Sequence, residues 1–400
     1  MSDINESGTR KDTIWSFPYI VLMTVNFFQS MAALMANTTL PVFANHLGAS
    51  ASIVGIVTGS FAVTALLVRP FAGPAFDSFS RKKMLLADQA IICLSLAGYG
   101  FIHSLPALIA IRLFHGIGIG CGGPLAMSLV SEFLPPKKFA SGISIYTLAQ
   151  SFAQVIGPAV GLYLMNAFGF SMAYFMAAGS LLAAMCCLFF IKEPPRRKLP
   201  YELKLDRMFA KEALDKGLAL MLLATAFSCT SSYLVLYAYE LGIANVGLYF
   251  TVYACCLIVM RPLFGTLADK FGAKRVLLLG VICFAASYAT LSMAHDMRGL
   301  LTAAVIGSAG FGSSVPLIQT LALSSVDPRR RGAASNTAFT GLDVGMLVGP
   351  PSGGIAVDLL ALRMPTLAGA YSTMWLVMLI PVALAFILVI RWNLRPKDRA

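Results

Sequence analysis

Twelve apolar runs of span length, separated by short polar segments, leave this 400-residue chain few folds to adopt. A helix needs about 20 apolar residues to cross the hydrocarbon of a bilayer. Such runs lie at residues 15–40, 53–75, 84–103, 106–131, 140–166, 171–191, 217–239, 243–267, 275–294, 299–325, 332–360 and 367–390. Only 12% of the residues are charged, against roughly 25% in a soluble domain, so the chain cannot cover a water-facing surface. The expected fold class is all-α and integral to the membrane, with twelve transmembrane helices. The leading residues MSDINESGTRKD lack a cleavage signature, and the first run is expected to stay in the mature chain.

A net charge of +12 would suggest nucleic acid as a partner of a soluble protein. Here the basic residues cluster between apolar runs, which points to a membrane protein and no nucleic acid. With both ends inside, 25 of the 30 Lys and Arg residues fall in the tails and inner loops. Arg298 and Arg363 alone fall outside, while Arg69, Arg112 and Arg261 lie within spans. This count predicts a multi-pass protein of a bacterial-type cytoplasmic (inner) membrane with both termini cytoplasmic. The eight cysteines sit in apolar runs without a CxxC spacing, so free packed thiols are expected rather than a disulfide frame or metal site.

The chain is also repeated. At an offset of 192 residues (261 − 69) the segment VRPFAGPAFDSFSRKKMLL at 68–86 overlies MRPLFGTLADKFGAKRVLL at 260–278 without a gap. Arg69 falls on Arg261, Asp77 on Asp269, Gly157-Pro158 on Gly349-Pro350 and Gly161 on Gly353. The expected division is an N-terminal half at 1–191, a cytoplasmic linker at 192–216 and a C-terminal half at 217–400. The linker's second part, KLDRMFAKEALDK, reads either as an amphipathic helix on the inner leaflet or as a solvated connection. Two parallel halves with a site between them suit alternating access. No HExxH, GxSxG or paired intramembrane aspartates point to an enzyme. A transporter-like membrane sensor is the alternative outside transport.

Over nearly its whole length the sequence resembles the major facilitator superfamily, and most nearly its proton-antiporting drug and metabolite exporters. GPAFDSFSRKK at 73–83 and GTLADKFGAKR at 265–275 are similar to the superfamily's loop motif, although Ser80 replaces its usual glycine. The resemblance implies that Asp77, Arg81 and Asp269 act as gating residues. IRLFHGIGIG carries the intramembrane Arg112, with Gly116 at Arg plus four rather than plus five. An arginine in a span is a functional candidate unless it snorkels to the interface. Gly157, Pro158 and Gly161 resemble the motif found mainly in exporters, where bending and close packing provide a pivot. HLGASASIVGIV at 46–57 and LGIANVGLYFTVYA at 241–254 look more specifically like opine-type metallophore exporters.

Coupling requires an intramembrane group whose charge changes with access. Acids near or within spans are Asp88, Glu132, Asp343 and Asp358. Asp343 lies about 18 Å along its helix from Arg331, and Arg69 about 12 Å from Asp77. Two arrangements follow: an Arg69–Asp343 pair between the halves when the inner side closes, or separate pairing, such as Arg69 with Asp88. The remaining gating and coupling candidates are Arg112, Arg261, Gly157, Pro158 and Gly161. The substrate-binding candidates are Asn26, Gln29 and Asn37, then His115, then Tyr146, Gln150 and Gln154, then Tyr233 and Tyr237 with Ser231, and Gln319. That largely neutral, aromatic set predicts a cavity for a small amphipathic organic molecule. The expected protein is a monomer that exports such a molecule on a proton gradient, without a cofactor. Sugar or organic-acid uptake remains the alternative direction.

Overall fold

The computed structural model describes residues 13–135, 138–193, 201, 209–327 and 330–392. Uniformly apolar segments shield their backbone polar groups best as helices, which satisfy those groups internally. The order is α1 Phe17–His46, α2 Ala51–Gly59, α3 Phe61–Ser78, α4 Arg81–Tyr99, α5 Leu105–Ser131, α6 Phe139–Cys187, α7 Leu214–Glu240, α8 Gly247–Phe271, α9 Ala273–Ser292, α10 Met297–Ser324, α11 Arg331–Ala361, α12 Leu367–Val377 and α13 Leu379–Ile390. Among the described residues, ten helical stretches are long and apolar enough to cross a membrane. One runs from Ile145 to Leu188 and breaks at Gly169, whose φ of +82° turns the chain between two legs. α4 falls outside the ten; its first turn is Arg81-Lys82-Lys83, and Asp88 lies further in. Counting both legs of α6 and adding α4, the helices fall on the twelve expected runs. The α2–α3 and α12–α13 joins stay in helical conformation at Ser60 and Met378.

The repeat reappears as packing. The first leg of α6 lies along α1, and α11 lies along α7. A Cβ added at Gly161 would stand 2.9 Å from the Met35 Cα, and one at Gly353 would stand 2.7 Å from the Cys229 Sγ. Both Gly-Pro segments therefore permit close contact with the first helix of their own set. The two copies of the loop motif close differently. Gly272 holds φ at +90°, a conformation that costs an ordinary residue roughly 1–2 kcal/mol. Ser80 keeps φ at −65° and caps α4, accepting from the Lys83 N–H while bonding Glu193.

α1–α6 meet α7–α13 mainly where α2 and α3 face α11, α6 faces α8, and α1 faces α7. The two ends of the bundle are called the Ser50 end and the Ser80 end, after the turns there. Much of the expected linker, residues 194–200 and 202–208, lies outside the described residues. Among the described residues of the KLDRMFAKEALDK segment, Lys211–Ala213 form a short 3-10 turn before α7 begins at Leu214. All eight cysteines are free.

Candidate functional site

A cavity of about 320 Å³ lies between the two helix sets. From the first set, α1 gives Asn37 and Thr38, α2 Thr58, α3 Phe61, α5 Arg112, and α6 Gln154 and Pro158. Facing them, α7 offers Ser228, Ser231 and Ser232, and α8 offers Tyr249, Tyr253 and Arg261. Phe227 and Phe311 stack at 4.0 Å between centroids with planes 3° apart, giving the wall a flat aromatic patch.

Arg112 is only 2% exposed. Its Nη2 donates to the Asn37 Oδ1 at 2.9 Å and to the Thr58 carbonyl at 3.3 Å, and the guanidinium lies 4.6 Å from the centre of the Phe61 ring. Gly116, one turn along α5, lets the helix approach the backbone of Phe61. The side chain therefore points inward and does not snorkel. Among the described residues its Nε and Nη1 have no hydrogen-bond partner.

The Ser50 end is sealed by bonds across the helix sets. Asp358 of α11 accepts from the N–H of Ala51 at 3.1 Å, the N–H of Ser52 at 3.0 Å and the Ser52 hydroxyl at 2.5 Å. A carboxylate thus caps the N-terminus of α2, where unpaired amides and the helix dipole favour an anion. Beside it the Tyr233 hydroxyl bridges the carbonyls of Ala51 and Pro350, at 3.0 and 2.5 Å. Gly55 and Gly354 leave space for this: a Cβ on either would stand 2.5 Å from that hydroxyl. Deeper, the Ser232 hydroxyl bonds that of Thr58 at 3.0 Å.

Arg69 of α3 pairs with Asp343 of α11. Its Nη2 donates to Oδ1 at 3.2 Å and lies 2.9 Å from Oδ2, the latter out of line for a hydrogen bond. Phe339 packs 5.4 Å beneath the guanidinium. Of the two arrangements open in the sequence, the pairing between sets is the one adopted. It coexists here with the sealed Ser50 end. Asp88 instead accepts from Gln89 at 3.2 Å and stays 5% exposed, with Oδ1 unpartnered.

The other gating candidates are distributed as follows. Arg81 ties three elements of the first set together, bonding Glu132 at 2.6 Å, the Ser128 carbonyl at 3.2 Å and the Phe76 carbonyl at 3.1 Å. The Asp77 side chain lies outside the described residues. Asp269 is exposed near the end of α8. Gly157 packs on α1, where a Cβ would stand 3.1 Å from Leu34. Pro158, Arg112 and Arg261 line the cavity itself.

Of the substrate candidates, Asn37, Gln154 and Ser231 line the cavity. The others do not. Asn26 donates to the Tyr146 carbonyl at 3.2 Å, and Tyr146 is buried in the core of the first set. Gln29 and Asp88 converge on Gly122, where a Cβ would meet them at 2.7 and 2.6 Å. His115 is fully buried against Tyr99, whose hydroxyl is 2.9 Å from Nδ1. Tyr233 belongs to the Ser50 seal, and Tyr237 bonds the carbonyls of Leu291 and Ala294 and the Ser372 hydroxyl. Gln150 is exposed on α6, and Gln319 is half-buried on α10 away from the wall. The physical reason is shared: side-chain type marks a polar residue in a span, but helices apolar on every side carry no periodicity to say which neighbour it faces. Sequence reasoning missed Thr58, Ser228, Ser232 and the Phe227–Phe311 stack in the wall, and gave Asp358 no role. The signal for Asp358 was available, since an acid near the end of an apolar helix needs a partner. The wall is also less neutral than expected, because two of its residues are arginines.

Long apolar helices in two repeated sets around a central cavity define a polytopic membrane transporter. The chain belongs to the Major Facilitator Superfamily, whose model matches residues 22–244 and 217–400. It is 28% identical to the staphylopine export protein of Staphylococcus aureus over 263 residues, covering 62% of this chain and 64% of that one. To multidrug resistance protein 2 of Bacillus subtilis it is 26% identical over 360 residues, 85% of this chain and 89% of the other. Its fold matches the crystal structure of the nucleoside transporter NupG with a TM-score of 0.76 at 13% identity, covering 94% and 100% of the two chains. An inward-facing, occupied bacterial homologue of the human lysosomal transporter Spinster matches at 0.78 and 18% identity, over 93% and 95% of the chains.

Proposed function

We propose that the protein is a proton-driven exporter of a small amphipathic organic molecule, working as a monomer in the cytoplasmic membrane with both termini inside. The observation that carries this reading is the cavity between two helix sets bolted together by charges at separate levels. With the Ser80 end inside, as the positive charge there requires, the sealed Ser50 end faces out and the cavity loads from the cytoplasm. Residues 1–191 and 217–400 then rock against each other about the Gly157-Pro158 and Gly349-Pro350 segments. Opening the Ser50 end withdraws Asp358 from α2 and parts Arg69 from Asp343. The separated Asp343 carries the proton back, and the pair re-forms as the proton leaves inside. The staphylopine export protein among the relatives supports the direction. The staphylopine exporter favours a second reading, export of an opine-type metallophore.

Everted vesicles test the proposal. Candidate solutes should accumulate inside when respiration acidifies the lumen, and accumulation should collapse when the proton gradient is discharged. Loss of preloaded solute down the proton gradient would indicate an uptake symporter. Binding without movement would indicate a sensor.

A further inference from the structure

We infer that the cavity takes an organic anion, whose carboxylate or comparable acidic group is held between Arg112 of one helix set and Arg261 of the other. This rests on the reading of the cavity as the solute site of an exporter. Two guanidinium groups line one cavity in a membrane protein, Arg112 buried and Arg261 exposed, and among the described residues no Asp or Glu lines it with them. A guanidinium buried in a membrane span is costly unless an acceptor neutralises it, and a second one on the same cavity wall adds to its positive potential. Arg112 shows what is lacking: it is 2% exposed, one nitrogen is satisfied by neutral oxygens, and two more have no acceptor. Arg261 makes no hydrogen bond or ion pair with any described residue, although it is charged and in a span.

The repeat explains why Arg261 is available. Its counterpart Arg69 is held by Asp343. The residue 192 positions before Asp343 is Ser151, so the second interface has the arginine without its acid. A packing requirement would have kept the acid in both copies or in neither. The missing carboxylate is instead left for the solute to supply, and the Phe227–Phe311 stack receives its apolar body. Contact with both arginines also joins the two sets through the solute, which couples occupancy to rocking.

The full-length protein in lipid nanodiscs, incubated with the water-soluble metabolite fraction of a bacterial extract, provides the test. Compounds retained after washing are identified by mass spectrometry and sorted by charge. Anions should be enriched on the wild type and fall by about ten- to a hundredfold on Arg112→Gln and Arg261→Gln, the loss expected for one charge-assisted contact. Arg261→Lys should keep part of the binding. Ser151→Asp leaves both arginines in place and offers Arg261 the missing acid; it should weaken anion retention severalfold while the protein stays monodisperse. Enrichment of cations or neutral compounds would overturn the anion assignment and leave export standing. Enrichment of nothing would overturn the cavity as an anion site. An anion that binds the wild type, depends on both arginines and fails to accumulate in everted vesicles would sink export and leave the anion site intact.

Discussion

Replacing Asp358 with asparagine perturbs the Ser50 seal with almost no change in shape. Asp358 accepts three hydrogen bonds from the start of α2, from the amides of Ala51 and Ser52 and the Ser52 hydroxyl. Hydrogen bonds to a charged acceptor contribute about 1.5–3 kcal/mol each and neutral ones about 0.5–1.5. Asparagine keeps one acceptor oxygen and turns an NH2 toward amides that need an acceptor, so the gross loss is roughly 2–4 kcal/mol. The residue is half-buried, and solvent screening brings the expectation to about 2 kcal/mol. The Ala51 and Ser52 amides occupy the first turn of α2 and have no partner within the helix, so their hydrogen exchange reports this contact directly. In nanodiscs, with exchange resolved to single amides by mass spectrometry, Asp358→Asn should speed both by about thirtyfold. Amides within α4 should not change. An acceleration below about threefold would mean that the carboxylate does not hold the two sets together, and the seal would have to be assigned to Tyr233 and glycine packing alone.

Three further outcomes follow from the same contacts. Arg69→Asp and Asp343→Arg should each reduce gradient-driven transport at least tenfold, and the double substitution should recover part of it, because the pair spans the two sets; a double variant no better than either single one refutes the coupling role. Gly55→Leu places a side chain against Pro350 and the Tyr233 hydroxyl, so spin labels across the Ser50 end should move apart by several ångströms, and an unchanged distance distribution would contradict the packing. Tyr237→Phe removes a hydroxyl bonded to Leu291, Ala294 and Ser372, and should lower stability by roughly 1–2 kcal/mol in a detergent melt without altering solute affinity; altered affinity would return Tyr237 to the binding site.

The fold was legible because its determinants are lengths and counts. Apolar run length sets the spans, and the offset of 192 sets the equivalence that reappears in the α1–α6 and α7–α11 packing. The Arg69–Asp343 pair was also within reach, since helical rise places both at compatible heights. The cavity wall was not. Tyr233, Tyr237 and Ser231 lie on the same helix, within two turns of one another, yet one seals an end, one braces α9 and α12, and one meets the cavity. Their separation depends on which neighbouring helix each faces, and a helix surrounded by lipid and protein alike has no polar side to reveal it.

What separates scaffold from site in this chain is where the repeat fails. Matched residues do structural work twice: Gly161 and Gly353 bring helices together, and Gly157-Pro158 and Gly349-Pro350 stand at equivalent points. Four of the charged residues have no charged counterpart in the repeat. Arg112 corresponds to Ala304, Asp88 to Gly280, Asp343 to Ser151 and Asp358 to Asn166. Asn166 lines a shallow cleft with Gly242, Ile243 and Ala244, the last two standing where Ala51 and Ser52 stand at the other interface. There α8 begins only at Gly247, so no helix terminus awaits a carboxylate. The α11 side is therefore fastened by Asp358 and by Arg69–Asp343, while the α6–α8 side has a neutral amide and a lone arginine in the corresponding places. A symmetric pair of interfaces would bind its charges equally well in every state and have nothing to exchange with a solute or a proton. Leaving one guanidinium without its acid makes one interface responsive to what enters the cavity, and the fastened side supplies the resistance against which that response can move the helices.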